Sequence, residues 1–224
     1  MQYKLVMGNR VYSGWSLRAW LVLRQTRHEF QHEVVPLYTE EFDLFRKECF
    51  PARQLPALIA TEGDTRRIIW DSLSITEFLS ERHPDAGLWP EDASMRAAAR
   101  SLCAEMHSGF KALRAKMPVN LKRHYKSFSP DDETLADIRR ICDLWKWAWA
   151  ESDGEGAYLF GERFTAADAF FAPVVSRFRT YSIDLDDLSN AYCDLLLRHP
   201  ATAEFIEAAQ SETWVMEHNE FNSE

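Results

Sequence analysis

The stretch Tyr12-Ser13-Gly14-Trp15-Ser16-Leu17-Arg18 separates two different apolar patterns. Before it, residues 3–7 follow the alternating pattern of a β-strand. After it, apolar side chains recur at the three- and four-residue steps of a helix. The sequence therefore predicts a strand, a turn and a helix, with Ser16 as the helix N-cap. Because the free N–H groups of a first helical turn attract negative charge, we expect this turn to favour an anion.

The two hydroxyl groups of this turn, on Ser13 and Ser16, have the spacing of the paired cysteines in a redox C-x-x-C turn. Neither position holds a thiol, so the turn cannot exchange disulfides. A hydroxyl can instead donate a hydrogen bond to the thiolate of a bound ligand. Two interpretations stay open: the serines contact a thiol cofactor, or they only cap the helix and shape the turn.

Composition limits the possible partners of the chain. Its 224 residues are 46% hydrophobic, enough for one large domain or two small ones with a core. A formal net charge of -9 argues against nucleic acid and anionic membranes, because both attract clustered positive charge. The sequence contains no apolar run of about 20 residues, and Met1 leads directly into a strand pattern instead of a signal region. We therefore expect a cytoplasmic protein without a membrane segment.

The cysteines do not form a metal or redox motif. They are widely separated, and no C-x-x-C pair or zinc-type His spacing accompanies them. We expect reduced, mostly buried thiols and no bound metal. The four are Cys49, Cys103, Cys142 and Cys193.

The rest of the N-terminal half predicts a small α/β domain. Apolar runs bounded by proline and by turn residues are typical of strands, and the last two are close enough to pair as a hairpin. The sheet is therefore expected to be mixed. The predicted elements are strands at residues 30–37, 51–59 and 67–70, and helices that begin after Thr39 and at Asp71-Ser72.

A change of period marks a second domain. Residues 84–92 are rich in proline and glycine, and helical periodicity begins at residue 93. Residues 93–117 are predicted as one long helix that ends at Pro118, in spite of Gly109.

The remaining chain also predicts helices. One opens at Asp131 and carries three tryptophans, of which Trp147 lies off the apolar stripe and is either packed on another helix or exposed. Another is almost entirely apolar and begins at the T-x-x-D sequence of Thr165 and Asp168, a relative of the capping box. Two further helices are predicted around residues 188–197 and 201–210. We expect the polar tail after Met216 to be loosely held.

In their order and spacing, these pieces resemble the soluble glutathione S-transferase superfamily over nearly the whole chain. The resemblance implies a thioredoxin-like α/β domain at residues 1–83, a linker at 84–92 and an all-helical domain at 93–224. The sequences that carry it are Tyr12-Ser13-Gly14-Trp15-Ser16, Gln54-Leu55-Pro56, Asp71-Ser72, Leu88-Trp89-Pro90, Tyr158-Leu159-Phe160-Gly161 and Thr165-Ala166-Ala167-Asp168.

The resemblance also implies where glutathione would bind. In this family the proline at the position of Pro56 follows a cis peptide bond, and the residue before it, here Leu55, offers main-chain hydrogen bonds to the cysteinyl part. Ser72 and the helix N-terminus would bind the γ-glutamyl carboxylate, and Asp71 would face the ammonium group. The implied contact residues are Ser13, Trp15, Gln54, Leu55, Pro56, Asp71 and Ser72.

The same resemblance implies which kind of residue activates the glutathione sulfur. Family members use a tyrosine, serine or cysteine in the turn after the first strand. This chain offers Ser13 first, with Tyr12 and the helix-capping Ser16 as the alternatives. The chain looks most similar to the zeta class, but it lacks the cysteine of the zeta-class Ser-Ser-Cys turn. The missing cysteine argues against the isomerase function of this class, but it does not argue against glutathione binding.

Three functions stay open. The leading one is a transferase that conjugates glutathione to a small electrophile, as in detoxification. The second is a glutathione-dependent cis–trans isomerase of maleylacetoacetate or maleylpyruvate type, in which arginines such as Arg10, Arg18 or Arg114 would bind substrate carboxylates. For each of these arginines the sequence alone favours the other interpretation, a solvated surface charge. The third is a non-catalytic relative that contacts proteins. The resemblance further implies a homodimer, with Trp147 as a candidate contact. His107 lies one position past the apolar stripe of its helix and either faces the cleft or is a surface or capped histidine, and the second interpretation is favoured.

Overall fold

The N-terminal strands form the predicted mixed sheet in a computed structural model, which describes residues 1–152 and 154–220. The elements of this half are β1 Gln2–Met7, α1 Gly14–Gln25, β2 Gln31–Val34, α2 Glu40–Glu48, β3 Ala57–Glu62, β4 Thr65–Ile69 and α3 Ser72–Arg82. The strand order is β2-β1-β3-β4, with β1 and β2 parallel and the other pairs antiparallel. Helices α1 and α3 both pack on this sheet and on each other.

Two strands are shorter than predicted. The third begins at Ala57 and not at Pro51, because residues 51–56 hold two prolines, which cannot donate to a strand ladder. The second ends at Val34, before Pro36. The predicted helix caps are confirmed at Thr39 and Asp71, whose side chains accept from the N–H groups of Phe42 and Leu73.

The C-terminal half is helical, as predicted. Its described helices are α4 Ala93–Ser108, α5 Lys111–Lys116, α6 Asp132–Glu151, α7 Ala166–Thr180, α8 Asp187–Arg198 and α9 Pro200–Gln210.

The prediction of one long helix over residues 93–117 is wrong. Helix α4 ends at Gly109, whose backbone is extended, and Phe110 follows with a positive φ of 58°. A Cβ at position 109 would lie 2.8 Å from the main-chain oxygen of Glu105, so a glycine is needed for this close approach. The break turns α5 toward α6, against which it packs.

Helix α7 lies at the centre of the core and packs against α1, α4 and α8. The T-x-x-D prediction is confirmed: a carboxylate oxygen of Asp168 accepts from the Thr165 N–H at 2.8 Å. Asp168 is fully buried and also accepts from the Leu159 N–H and the Tyr192 hydroxyl. This carboxylate therefore joins α7 to α8 and to the loop that precedes α7.

The cysteine prediction is confirmed, because all four are free thiols and three of them are buried. Trp147 is 40% exposed, so its side chain does not pack in the core. Among the described residues, no helix is both long and apolar enough to cross a membrane.

Candidate active site

The turn between β1 and α1 is capped by a different serine from the one predicted. Ser13 is the N-cap, and its Oγ accepts from the Ser16 N–H at 3.2 Å, so the prediction of Ser16 as the cap is wrong. Ser16 lies inside the first turn, where its Oγ accepts from the Gly8 N–H at 3.0 Å. At the first helical residue, Gly14 lets α1 approach α7 closely, since an added Cβ would lie 2.8 Å from that of Pro173.

The Ser13 hydroxyl donates to Ser16 Oγ at 2.8 Å, and the Ser13 side chain lines a cavity of about 560 Å³. Ser16 is fully buried behind it. The two serines thus form one short hydrogen-bonded chain, in which the member at the cavity can turn its O–H toward a ligand.

The Tyr12 phenol is engaged elsewhere. Its hydroxyl donates to the Glu220 carboxylate at 2.7 Å. Burial and this hydrogen bond raise the pKa of Tyr12 to about 12. In this conformation the phenol points at the C-terminal segment, which favours Ser13 as the thiol ligand. The assignment between the two residues stays a prediction.

All the predicted contact residues meet at this one cavity. Each of the eight side chains named from the sequence lines it, although they come from three separate parts of the chain. The Leu55–Pro56 peptide is cis, which confirms that prediction. The eight are Tyr12, Ser13, Trp15, Gln54, Leu55, Pro56, Asp71 and Ser72.

The N-terminus of α3 fits the zwitterionic end of a peptide ligand. Ser72 is fully buried, and its Oγ has no hydrogen-bond partner among the described residues, although it lines the cavity. A buried hydroxyl without a partner is costly, so a ligand carboxylate that accepts from it would stabilise the site. One Asp71 oxygen accepts from the Leu73 N–H at 2.9 Å, and the other lies beside the ring of His107, which also lines the cavity. These residues therefore fit the γ-glutamyl end of glutathione.

His107 belongs to the site, so the interpretation of it as a surface histidine is wrong. Its Nε2 lies 3.0 Å from the second Asp71 carboxylate oxygen, and its ring packs edge-on against Trp15. Burial lowers the pKa of His107, and Asp71 only partly offsets this. The only signal in the sequence was the position of His107, one residue past the apolar stripe of α4. Its contact with Asp71 depends on the fold, which brings α3 beside α4.

A second cavity of about 350 Å³ adjoins the first and shares Trp15 with it. Three arginines line this second cavity: Arg18 from α1, Arg114 from α5 and Arg177 from α7. Their guanidinium groups donate to main-chain carbonyl oxygens of other residues.

Two of these arginines also stack on Trp15. The guanidinium carbons of Arg18 and Arg114 lie 4.5 Å and 4.7 Å from its ring centroid. Burial lowers the pKa of all three arginines, and the charge of Arg114 lowers that of Arg18 and Arg177 further. Arg10, which was considered with them, instead pairs with Glu212. The second cavity therefore concentrates positive charge that an anion would neutralise.

Contrary to the prediction, the tail after Met216 is held in place as far as Glu220. Glu220 accepts hydrogen bonds from Asn120 and Arg123 in addition to Tyr12. Residues 221–224 lie outside the described residues. Sequence reasoning missed the contribution of this tail, because its partners are about one hundred or more positions away. The tail residues that line the first cavity are Met216, His218 and Asn219.

Family models match both halves of the chain. The glutathione S-transferase N-terminal domain matches residues 12–82, and the glutathione S-transferase C-terminal domain matches residues 96–208. The chain belongs to the glutathione S-transferase family. Its fold is therefore the thioredoxin-like domain and helical domain of that family, as the sequence indicated.

Similar proteins are named as isomerases. A probable maleylacetoacetate isomerase of Caenorhabditis elegans is 28% identical over 172 residues, 76% of each chain. A maleylpyruvate isomerase of Ralstonia is 27% identical over 181 residues, 77% of this glutathione S-transferase and 82% of the relative.

Solved structures agree with the fold. A maleyl pyruvate isomerase described as a zeta-class bacterial glutathione S-transferase superimposes with a TM-score of 0.69 and 26% identity, over 94% of this chain and 100% of that one. A Burkholderia glutathione transferase homologue with bound glutathione has a TM-score of 0.70 at 20% identity, over 95% and 100% of the chains. Among the described residues there is no group of three or more His, Cys, Asp or Glu side chains that could bind a metal.

Proposed function

We propose that this glutathione S-transferase is a glutathione-dependent cis–trans isomerase of small unsaturated carboxylic acids. The observation that carries the proposal is the second cavity, where Arg18, Arg114 and Arg177 surround a space that adjoins the Ser13 turn. The names of the similar proteins, maleylacetoacetate and maleylpyruvate isomerase, support the same substrate class. These two observations favour isomerisation over conjugation, whereas the sequence alone favoured conjugation.

The proposed reaction uses the glutathione thiolate as a reversible nucleophile. The thiolate adds to one carbon of a cis double bond that is conjugated to a carbonyl group, and the π electrons move to the carbonyl oxygen as an enolate. The former double bond is then single and rotates. The electrons return, the C–S bond breaks and the trans isomer leaves with the thiolate restored, so no atom is gained or lost.

The residues of the chain have separate roles in this reaction. Ser13 stabilises the thiolate by donating its hydroxyl, and Asp71 and Ser72 hold the γ-glutamyl end. The arginines bind the substrate carboxylates and stabilise the negative charge that develops on the enolate. Because these arginines are buried or half-buried, their attraction to a carboxylate bound in the second cavity is stronger than it would be at the surface.

Conjugation to an electrophile is the second candidate. The turn lacks the cysteine of the zeta-class Ser-Ser-Cys sequence, and a thiolate stabilised only by Ser13 is sufficient for transferase chemistry. Both candidates need the same glutathione site and differ in whether the C–S bond breaks again.

Arg114→Gln tests the substrate class. We expect its KM for maleylpyruvate to rise about tenfold, which corresponds to roughly 1.4 kcal/mol, while the KM for the uncharged electrophile 1-chloro-2,4-dinitrobenzene stays within about twofold. The matched control is Arg179→Gln, an exposed arginine two residues from Arg177 on the same helix. If KM rose equally for both substrates, or for neither, the result would argue against recognition of a carboxylate by this cavity.

A further inference from the structure

The chain after α9 contributes to the lining of both cavities. We call residues 212–220 the C-terminal strap. Its first anchor is Glu212, whose carboxylate accepts from the main-chain N–H groups of Arg10 at 3.0 Å and Val11 at 3.4 Å. Its main-chain oxygen accepts from the Lys122 ammonium group. The strap is thus fixed to the loop that leads directly into Tyr12 and Ser13.

The second anchor lies at the other end of the strap. The Glu220 carboxylate accepts from the Tyr12 hydroxyl at 2.7 Å, from Asn120 Nδ2 at 3.1 Å and from Arg123 Nε at 2.7 Å. Its side chain is only 17% exposed. One carboxylate therefore joins the strap to the Ser13 turn of the N-terminal domain and to the loop after α5.

The middle of the strap lies against both cavities. Met216 is buried on Val11 and Tyr12, and the His218 ring packs edge-on against Tyr38 at 5.5 Å. His218 and Asn219 line the glutathione cavity and the arginine cavity alike. The strap is thus a wall common to the two spaces in which the sulfur and the second substrate would meet.

We infer that the C-terminal strap, held by Glu212 and Glu220, sets the size of the group that can stand next to the glutathione sulfur. A wall held at both ends by charged hydrogen bonds resists displacement, so it favours a small second substrate and disfavours a bulky one. This inference rests on the proposed function, because it assumes that glutathione occupies the first cavity.

Glutathione conjugates of two sizes test the strap without the need for turnover. The affinities of S-methylglutathione and S-benzylglutathione are measured by calorimetry on wild type, on Glu220→Ala and on a chain that ends at residue 213. We expect both altered proteins to bind S-benzylglutathione about tenfold better relative to S-methylglutathione than wild type does. Unmodified glutathione should bind wild type and Glu220→Ala with affinities within about twofold of each other. Glu217→Ala, an exposed residue of the same strap, is the matched control and should keep the wild-type ratio.

The outcomes separate the two proposals. If wild type binds the glutathione ligands but the ratio is unchanged in Glu220→Ala and in the shortened chain, the strap does not set the substrate size. If wild type binds none of the three ligands, the proposed function fails, and this inference fails with it. A shortened chain that does not fold leaves Glu220→Ala to decide.

Discussion

At the scale of single residues, the Ser13 hydroxyl provides the proposed chemistry. Ser13 Oγ can accept from the Ser16 N–H while its own proton turns from Ser16 Oγ to a sulfur. A thiol with a pKa near 8.5 is only a few per cent ionised at pH 7. Lowering that pKa by about two units requires roughly 2.7 kcal/mol, which a hydroxyl donor together with the N-terminus of α1 can supply.

Ser13→Ala should reduce turnover about 10²-fold, because it removes one donor to resident negative charge. The pKa of bound glutathione, followed by thiolate absorbance, should rise toward its value in water. Ser16→Ala and Tyr12→Phe are the comparison variants. A thiolate titration that shifts in Tyr12→Phe but not in Ser13→Ala would assign the role to the tyrosine.

Ser72→Ala should weaken glutathione binding and leave folding intact. The Ser72 hydroxyl has no partner among the described residues, so its removal costs the free protein little. A hydrogen bond to a charged group is worth about 1.5–3 kcal/mol, so we expect a Kd roughly 10- to 100-fold higher by calorimetry. Ser74→Ala, exposed in the same turn of α3, is the control. If Ser72→Ala and Ser74→Ala bound glutathione equally well, Ser72 would not be a glutathione ligand.

The sequence predicted residues that act through local patterns better than those that act through distant contacts. Leu55-Pro56 and Asp71-Ser72 each lie beside the strand or helix that positions them, and the family resemblance was enough to select them. Ser16, His107 and Glu220 depend on contacts made by the folded chain. No local pattern shows that Glu220 binds Tyr12, which lies 208 positions earlier.

At the scale of secondary structure, Asp168 shows how one side chain can fix several elements. The sequence identified it as a helix cap, worth on the order of 1 kcal/mol. The structure adds that it accepts from Leu159 and Tyr192. Burial raises the pKa of this carboxyl, although its four hydrogen bonds favour the charged form. Its role therefore extends beyond α7.

Asp168→Ala should lower the free energy of unfolding by about 3 kcal/mol, because it leaves several buried donors without a partner. Thr165→Ala should cost only about 1 kcal/mol, since it removes a single cap. Denaturant unfolding of the two variants provides the comparison. Unchanged stability of Asp168→Ala together with lost turnover would show a chemical role instead.

The helix break at Gly109 could not be predicted from the spacing of apolar residues. Apolar residues continue at helical steps on both sides of it, so the pattern predicts one helix over residues 93–117. The positive φ of Phe110 and the close approach of Gly109 to Glu105 decide otherwise. This break places Arg114 on a separate short helix, where it faces the second cavity.

At the scale of the whole molecule, we expect a homodimer. Several large apolar side chains are exposed, among them Phe50 at 75% and Trp147 at 40%. These side chains are candidate contacts with a second copy. Light scattering should give twice the 26.1 kDa of one chain, and Trp147→Ala should move the mass toward one chain if this residue is a contact. A single-chain mass at concentrations where the protein is active would contradict the dimer.

We propose that two adjoining cavities bring a glutathione thiolate and an unsaturated carboxylic acid together, and that the C–S bond forms and breaks again. Proton NMR of maleylpyruvate with the wild-type protein and a small fraction of an equivalent of glutathione observes both partners at once. We predict complete conversion of the cis to the trans isomer, with all the glutathione recovered as free thiol. Accumulation of a thioether until glutathione is used up, or an unchanged cis isomer, would contradict this account.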